Sequence, residues 1–165
     1  MELVDFSQAW EAQRWRAIND GVMGGVSQSQ MLATDGGCCF DGVVSLEYGG
    51  GFASMRRPLA LPDGCRALKL RLKGDGNRYQ LRLKMDGLYD GVLYVSDFTT
   101  QEGREEEIEL PLGSFQPRFR GRAVTGVEPL DVSRVEQVGL LIGQGQSGPF
   151  TLTLYQLMAE GRALE

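Results

Sequence analysis

A chain of 165 residues fits one domain, and a domain this size buries roughly 70% of the surface its unfolded chain exposes, so neither disulfides nor a metal is needed to supply a core. Lys plus Arg total 17 against 22 Asp plus Glu, and the resulting formal charge of −5, with no basic tail, argues against nucleic acid as the partner. The histidine count is 0, which removes the commonest general base, the Ser-His and Cys-His nucleophile pairs and the commonest transition-metal ligand.

The chain opens Met1-Glu2-Leu3-Val4-Asp5, without the basic and apolar regions of a signal peptide or the Arg- and Ser-rich look of a transit peptide. No apolar run reaches the ~18 residues of a transmembrane helix, so the expectation is a soluble, cytoplasmic domain spanning 1–165. Ser7 to Arg16 predicts a helix, with Ser7 capping a turn that carries Trp10. The segment Asn19-Asp20-Gly21-Val22-Met23-Gly24-Gly25-Val26-Ser27 packs glycines where backbone turns sharply or approaches another group. No strand precedes it and no helix follows, so it is not a dinucleotide fingerprint. It reads either as a buried loop whose Asn19 and Asp20 bond to backbone, or as the rim of a binding site that includes Met23.

Beyond it, short apolar runs alternate with turn residues, and glycine, at 23 residues, is about twice its usual ~7% share. Strands are predicted near Val26–Ala33, Cys39–Leu46, Phe52–Arg57, Ala67–Lys73, Arg78–Lys84, Val92–Thr99, Glu105–Leu110, Val138–Ile142 and Phe150–Leu157. So many strands with so little helix imply two packed antiparallel sheets. Cys38, Cys39 and Cys65 show no metal-ligand spacing and read as reduced thiols, the adjacent pair pointing to opposite faces of a strand.

The sharpest pattern is at 68–85. Leu68, Leu70 and Leu72 alternate with Lys69, Arg71 and Lys73; then, after Gly74-Asp75-Gly76-Asn77, Tyr79, Leu81, Leu83 and Met85 alternate with Arg78, Gln80, Arg82 and Lys84. The Asp-Gly pair predicts a tight hairpin with one apolar and one basic face. That basic face is either paired with Glu105, Glu107 and Glu109 on a later strand, or is a patch that recruits an acidic partner or a sugar. Val92–Val95 and Gly139–Ile142 are apolar on both faces and suit central positions.

Three further sets carry chemistry. Arg118, Arg120 and Arg122 recur at period two and read as a solvated edge or as a clamp on a carboxylate or a partner chain. Tyr48, Tyr89 and Tyr94 offer stacking surfaces for sugars, or are ordinary half-buried tyrosines. Asp20, Asp75 and Asp86 sit in loops and would have to converge for two-carboxylate catalysis; as turn residues they need not.

Four segments together resemble the complex I intermediate-associated protein 30 family: Asn19 to Ser27, then Gly50-Gly51-Phe52-Ala53-Ser54-Met55-Arg56, then Leu72-Lys73-Gly74-Asp75-Gly76-Asn77-Arg78-Tyr79, then Leu110-Pro111-Leu112-Gly113-Ser114-Phe115 with Arg120-Gly121-Arg122. Gly139-Leu140-Leu141-Ile142 and Gly148-Pro149-Phe150 fit the same order, and the resemblance runs from about Trp15 to Leu157. It implies an all-β, antiparallel jelly-roll sandwich of the galactose-binding-domain type, similar to carbohydrate-binding modules. Mitochondrial members are assembly factors for respiratory complex I, and related domains accompany photosynthetic assembly proteins; the expectation for this chain is instead a free-standing bacterial domain without a transit peptide, a large N-terminal extension or a fused nucleotide-binding domain. No catalytic residue and no cofactor is implied. The expectation is a non-enzymatic module that binds another protein, with a carbohydrate-binding module and a carboxylate-based glycan hydrolase as alternatives. Candidate binding residues are Asn19, Asp20, Met23, Arg56, Arg71, Asp75, Tyr79, Arg82, Arg118, Arg120 and Arg122.

Overall fold

Period-two alternation forces apolar side chains to one side of each strand, and strands of this kind cover one another by forming two layers. The computed structural model describes residues 1–161 apart from Tyr89, with Val22 and Met23 described as backbone only. The strands are β1 (Glu2–Asp5), β2 (Arg16–Ala17), β3 (Gln28–Thr34), β4 (Gly37–Val44), β5 (Ala53–Pro58), β6 (Cys65–Lys73), β7 (Arg78–Lys84), β8 (Val92–Thr99), β9 (Glu105–Pro111), β10 (Gln116–Phe119), β11 (Arg122–Ala123), β12 (Gln137–Ile142) and β13 (Gly148–Gly161). One sheet has six strands in the order β3-β4-β13-β6-β9, with β1 also paired to β13; the other has seven, in the order β11-β10-β8-β7-β12-β5-β2. All the named pairings are antiparallel. Every strand expected from the sequence is present, and the additions β1, β2, β10 and β11 are short pieces with too few residues to show a period.

The expected hairpin does not form. β6 lies in the six-stranded sheet and β7 in the seven-stranded one, so Gly74 to Asn77 arches from layer to layer. Leu68, Leu70 and Leu72 meet Tyr79, Leu81 and Leu83 face to face in the core instead of side by side in one sheet. Alternation gives each strand its buried side and is silent on which layer the strand joins. Asp75 holds the arch: its carboxylate accepts from Asn77 N (3.0 Å), Tyr79 Oη (3.0 Å) and Thr151 N of β13 (2.8 Å).

The predicted helix at Ser7–Arg16 is also corrected. Only Ala9–Arg14 coils, as a 3-10 turn, and Ser7 donates to Asp5 Oδ1 (3.0 Å from N, 2.6 Å from Oγ) rather than capping it. Trp10 points outward, whereas Trp15 is buried and stacks on Phe6 with centroids 5.9 Å apart. Glu11 of this turn is buried and binds Arg57 at 2.7 Å, while Trp15 Nε1 donates to Glu11 Oε2 at 3.0 Å. The ion pair therefore closes one end of the core with its hydrogen bonds satisfied, the only form in which buried charge is tolerable.

β12 is buried along its whole length between β7 and β5, as its two-sided apolar run requires.

Candidate functional site

The outer face of the seven-stranded sheet is built by register. Arg16 pairs with Arg56, Arg56 with Gly139, Gly139 with Arg82 and Arg82 with Val95, which makes one row across β2, β5, β12, β7 and β8. Ser54, Leu141, Gln80 and Asp97 form the next row, and Pro58, Gln137 and Lys84 a third. Their sequence neighbours Met55, Val138, Leu140, Leu81 and Leu83 lie in the core, so by alternation these residues face away from it. They are nevertheless withdrawn from solvent: Arg56 is 8% exposed, Arg82 9% and Lys84 0%.

Both ends of the face have their polar groups matched. At one end Lys84 Nζ pairs with Asp86, and Gln137 Nε2 donates to Asp86 O (2.8 Å) and Leu88 O (3.2 Å), which draws the connection after β7 against the sheet. At the other end Gln80 Nε2 and Gln144 Nε2 both donate to Asp97 Oδ1, at 3.0 and 2.9 Å. The centre is different. Arg82 Nε is buried and has no hydrogen-bond partner among the described residues. Burial, and secondarily the charge of Arg56, brings the Arg82 guanidinium down to about 10, so it remains a cation at neutral pH.

Between the two arginines stands Gly139. Its φ is not positive, so the backbone does not demand glycine there; a Cβ would lie 3.6 Å from Arg56 Cγ, 3.8 Å from Arg82 Cβ and 3.1 Å from Met55 O. Glycine inside a central strand weakens it and marks a close approach to the backbone. Here the carbonyl oxygen of Met55 and the two arginine stems already occupy the space a side chain would take.

The sequence profile of the complex I intermediate-associated protein 30 (CIA30) family matches residues 4–154. The chain belongs to the CIA30 family. It is 29% identical to the Schizosaccharomyces pombe protein C9E9.15 over 182 residues, covering 95% of this chain and 83% of that one. Among solved structures, the family 11 carbohydrate-binding module of Clostridium thermocellum, in complex with a β-1,3-1,4-mixed-linked tetrasaccharide, is similar at a TM-score of 0.65 and 17% identity, over 95% of this chain and 94% of that one. TmCBM61, solved with β-1,4-galactotriose, is similar at a TM-score of 0.52 and 11% identity, over 98% and 99% of the two chains. The fold of this CIA30 domain is thus the galactose-binding-like jelly-roll sandwich of such modules.

Within the CIA30 domain the other candidate residues are dispersed. The presumed single basic face divides between the two sheets, because β6 and β7 do. On β6, Arg71 pairs with Glu105 at 2.9 Å, and Lys69 with Glu160 at 2.6 Å and Glu107 at 3.5 Å, so that half is matched by the acidic β9 beside it. Arg118, Arg120 and Arg122 do not converge into a clamp. Arg118 pairs with Leu93 on the outer face and Arg122 with Phe119, one position out of phase, while Arg120 turns at φ 50° and binds Asp90 at 2.7 Å.

Asn19 and Asp20 are knotted into backbone. Asp20 accepts from Ser27 N (2.9 Å), Ser27 Oγ (2.5 Å), Gly51 N (2.7 Å) and Phe52 N (3.4 Å), and Asn19 Oδ1 accepts from Ser54 N (3.1 Å) and Ser29 Oγ (2.7 Å). Burial works to raise the Asp20 carboxyl, and these donors outweigh it, so the group titrates below its ordinary range. The side chain of Met23 lies outside the described residues, as does Tyr89. Tyr79 is buried, its hydroxyl is spent on Asp75, and burial first and that carboxylate second hold its proton on. Tyr94 is buried with its hydroxyl on Glu128 O, while Tyr48 is 74% exposed at a left-handed φ of 56°.

Asp20, Asp75 and Asp86 share no hydrogen-bond partner among the described residues, each serving a separate loop. The described residues hold no cluster of three or more His, Cys, Asp or Glu able to bind a metal, and no helix among them is long and apolar enough to cross a membrane. Sequence reasoning missed Gly139 and Arg16 as partners of Arg56 and Arg82. The readable signal was a glycine inside an apolar central strand, Val138-Gly139-Leu140.

Proposed function

We propose that this CIA30 domain is a non-catalytic protein-binding module, acting as an assembly factor or chaperone for a multi-subunit complex, and that it takes its partner on the outer face of the seven-stranded sheet. The family description and a fold shared with binding modules support the class of role. The observation that carries the choice of face is a row of polar and cationic side chains shielded from water on the side of the sheet that no core burial requires. A photo-crosslinking residue in place of Gln116, exposed on this face, should trap a defined protein from native lysate, and one in place of Asp35, in the exposed β3–β4 turn, should not. Equal trapping at both positions, or none at Gln116, rejects the reading.

A carbohydrate-binding role is the second reading. The shared fold, the exposed Tyr48 and the partly exposed Phe52, which lies by Gly143 and Leu141 at the edge of the outer face, favour it. A glycan array free of hits removes it.

A further inference from the structure

We infer that one end of the outer face, where Phe52, Gln80, Gln144 and Asp97 are gathered, is a subsite for a neutral oligosaccharide lying across the strands. It rests on the carbohydrate reading and fixes the place and the ligand class of that reading.

Three observations converge. Phe52 precedes the core residue Ala53, so by alternation it faces outward with Ser54, and it is only partly covered. Its backbone is fixed on both sides by Asp20: its N–H donates to the carboxylate at 3.4 Å and its C=O accepts from Asp20 N at 3.3 Å. A Cβ at Gly143 would stand 3.2 Å from Phe52 Cβ and 3.3 Å from Leu141 Cδ2, so the bare glycine lets the ring lie close against β12. An aromatic plane held in place before the ligand arrives is what the C–H face of a pyranose stacks on.

Next, the exposed carboxylate of Asp97 is pinned at one oxygen and open at the other. Oδ1 accepts from Gln80 Nε2 at 3.0 Å and Gln144 Nε2 at 2.9 Å, while Oδ2 and both carboxamide oxygens have no hydrogen-bond partner among the described residues. Three oriented acceptors call for several hydroxyl donors close together, and a hydroxyl on a carboxylate makes a charge-assisted bond.

Last, Gln144 holds a place that its residue type does not favour. The turn from Gly143 to Gln146 closes through Gln146 N to Gly143 O at 3.2 Å, with Gln144 at φ 61° and Gly145 at φ 78°. Both central residues are left-handed, as in a type I′ turn, where Asn or Gly is preferred. The longer carboxamide costs the turn some strain and reaches Asp97, a solvent-exposed bond that returns little stability. Recognition accounts for it better than folding does.

Phe52 leads into β5 and Asp97 lies on β8, three strand spacings apart, or about 14 Å, so the ligand is a chain of sugars and not a single ring. A neutral chain suits the place better than a uronic-acid one, because the open oxygen of Asp97 repels a second carboxylate. A sugar suits it better than a peptide, whose backbone presents single, spaced N–H groups where a pyranose presents neighbouring hydroxyls.

The test is a calorimetric titration of the full chain with cellotetraose, mannotetraose, xylotetraose and galactotetraose, and with tetragalacturonate as the acidic counterpart. At least one neutral tetrasaccharide should bind, and Phe52→Ala and Asp97→Asn should each weaken it at least about tenfold. Gln144→Gly should weaken it about fivefold or more while the thermal midpoint stays level or rises, since glycine suits a left-handed turn better. Lys69→Gln, on the opposite sheet, should change binding less than about twofold. Thermal unfolding of each variant shows that it is folded. A midpoint lowered by Gln144→Gly would show that the residue is kept for the fold, against the subsite. Neutral binding that ignores Phe52, Asp97 and Gln144 overturns the subsite and leaves the carbohydrate reading standing. Tighter binding of tetragalacturonate overturns the ligand class. If no neutral sugar binds and Asp97→Asn abolishes the protein crosslink from position 116, this end of the face belongs to the protein partner, and subsite and carbohydrate reading fail together.

Discussion

Asp20 Oδ2 accepts the backbone N–H of Gly51 at 2.7 Å across a chain separation of 31 residues. One carboxylate thereby fastens the loop after β2 to the loop before β5, and Ser27 and Phe52 donate to the same group. Asp20→Ala leaves these donors unmatched in a buried place. It should lower the unfolding free energy by about 2–4 kcal/mol, read from urea denaturation, with Asp20→Asn intermediate.

The same group sets part of the acid limb. Its folded-state carboxyl lies below the ordinary 3.8, so the stability it contributes is complete above that value and is lost as pH falls through the lower folded-state value. In Asp20→Asn the stability curve should be flatter than wild type below about pH 4, measured as unfolding midpoint against pH. A parallel slope in both proteins rejects this assignment.

Arg82→Met should make the domain more stable, by about 1 kcal/mol or more, because it trades a buried unmatched cation for a thioether of similar length. The midpoint should rise by about 2–4 °C in a melt without added anions. A fall in midpoint would show that Arg82 is a structural member of the sheet.

Breaking the pair of Glu11 and Arg57 should act in the opposite sense. Glu11→Ala strands a buried guanidinium and the Trp15 indole N–H, at a cost of about 3–5 kcal/mol. The double change Glu11→Leu with Arg57→Met should recover most of it. Arg71→Gln, whose exposed pair with Glu105 is screened by water, should cost less than about 1 kcal/mol.

Burial raises all three thiols, Cys38 to about 11, with neighbouring Glu11 a lesser cause at that site. None should react with a thiol reagent in the native domain at pH 7.5, and all three should react in guanidinium. Native reaction at any one of them would show that its strand opens locally.

Strands and their buried sides were legible because period two is written in consecutive residues: Leu68 to Lys73 and Arg78 to Lys84 were read correctly down to which side chains face the core. The layer each joins was not, because an arch and a hairpin can share the residues Gly74-Asp75-Gly76-Asn77, and the deciding contacts, Asp75 to Thr151 and Gly103 N to Gly74 O at 3.0 Å, are long in sequence. The candidate face followed the same rule. Arg56 and Arg82 were singled out from separate motifs, but their meeting across Gly139 depends on the register of β12, which no local pattern encodes. Of the two readings left open for the basic face, pairing with acidic β9 holds for Lys69 and Arg71 on β6 and does not extend to β7, which lies in the other sheet.

β13 follows every other strand along the chain, yet it sits inside its sheet, bonded to β4 on one side and to β6 on the other. While the chain is emerging from the ribosome, the β3–β4 and β6–β9 pairs wait as two half-sheets with bare edges. Closure waits for β13, and until it arrives these edges are the places where a nascent copy is open to wrong pairing with its neighbours.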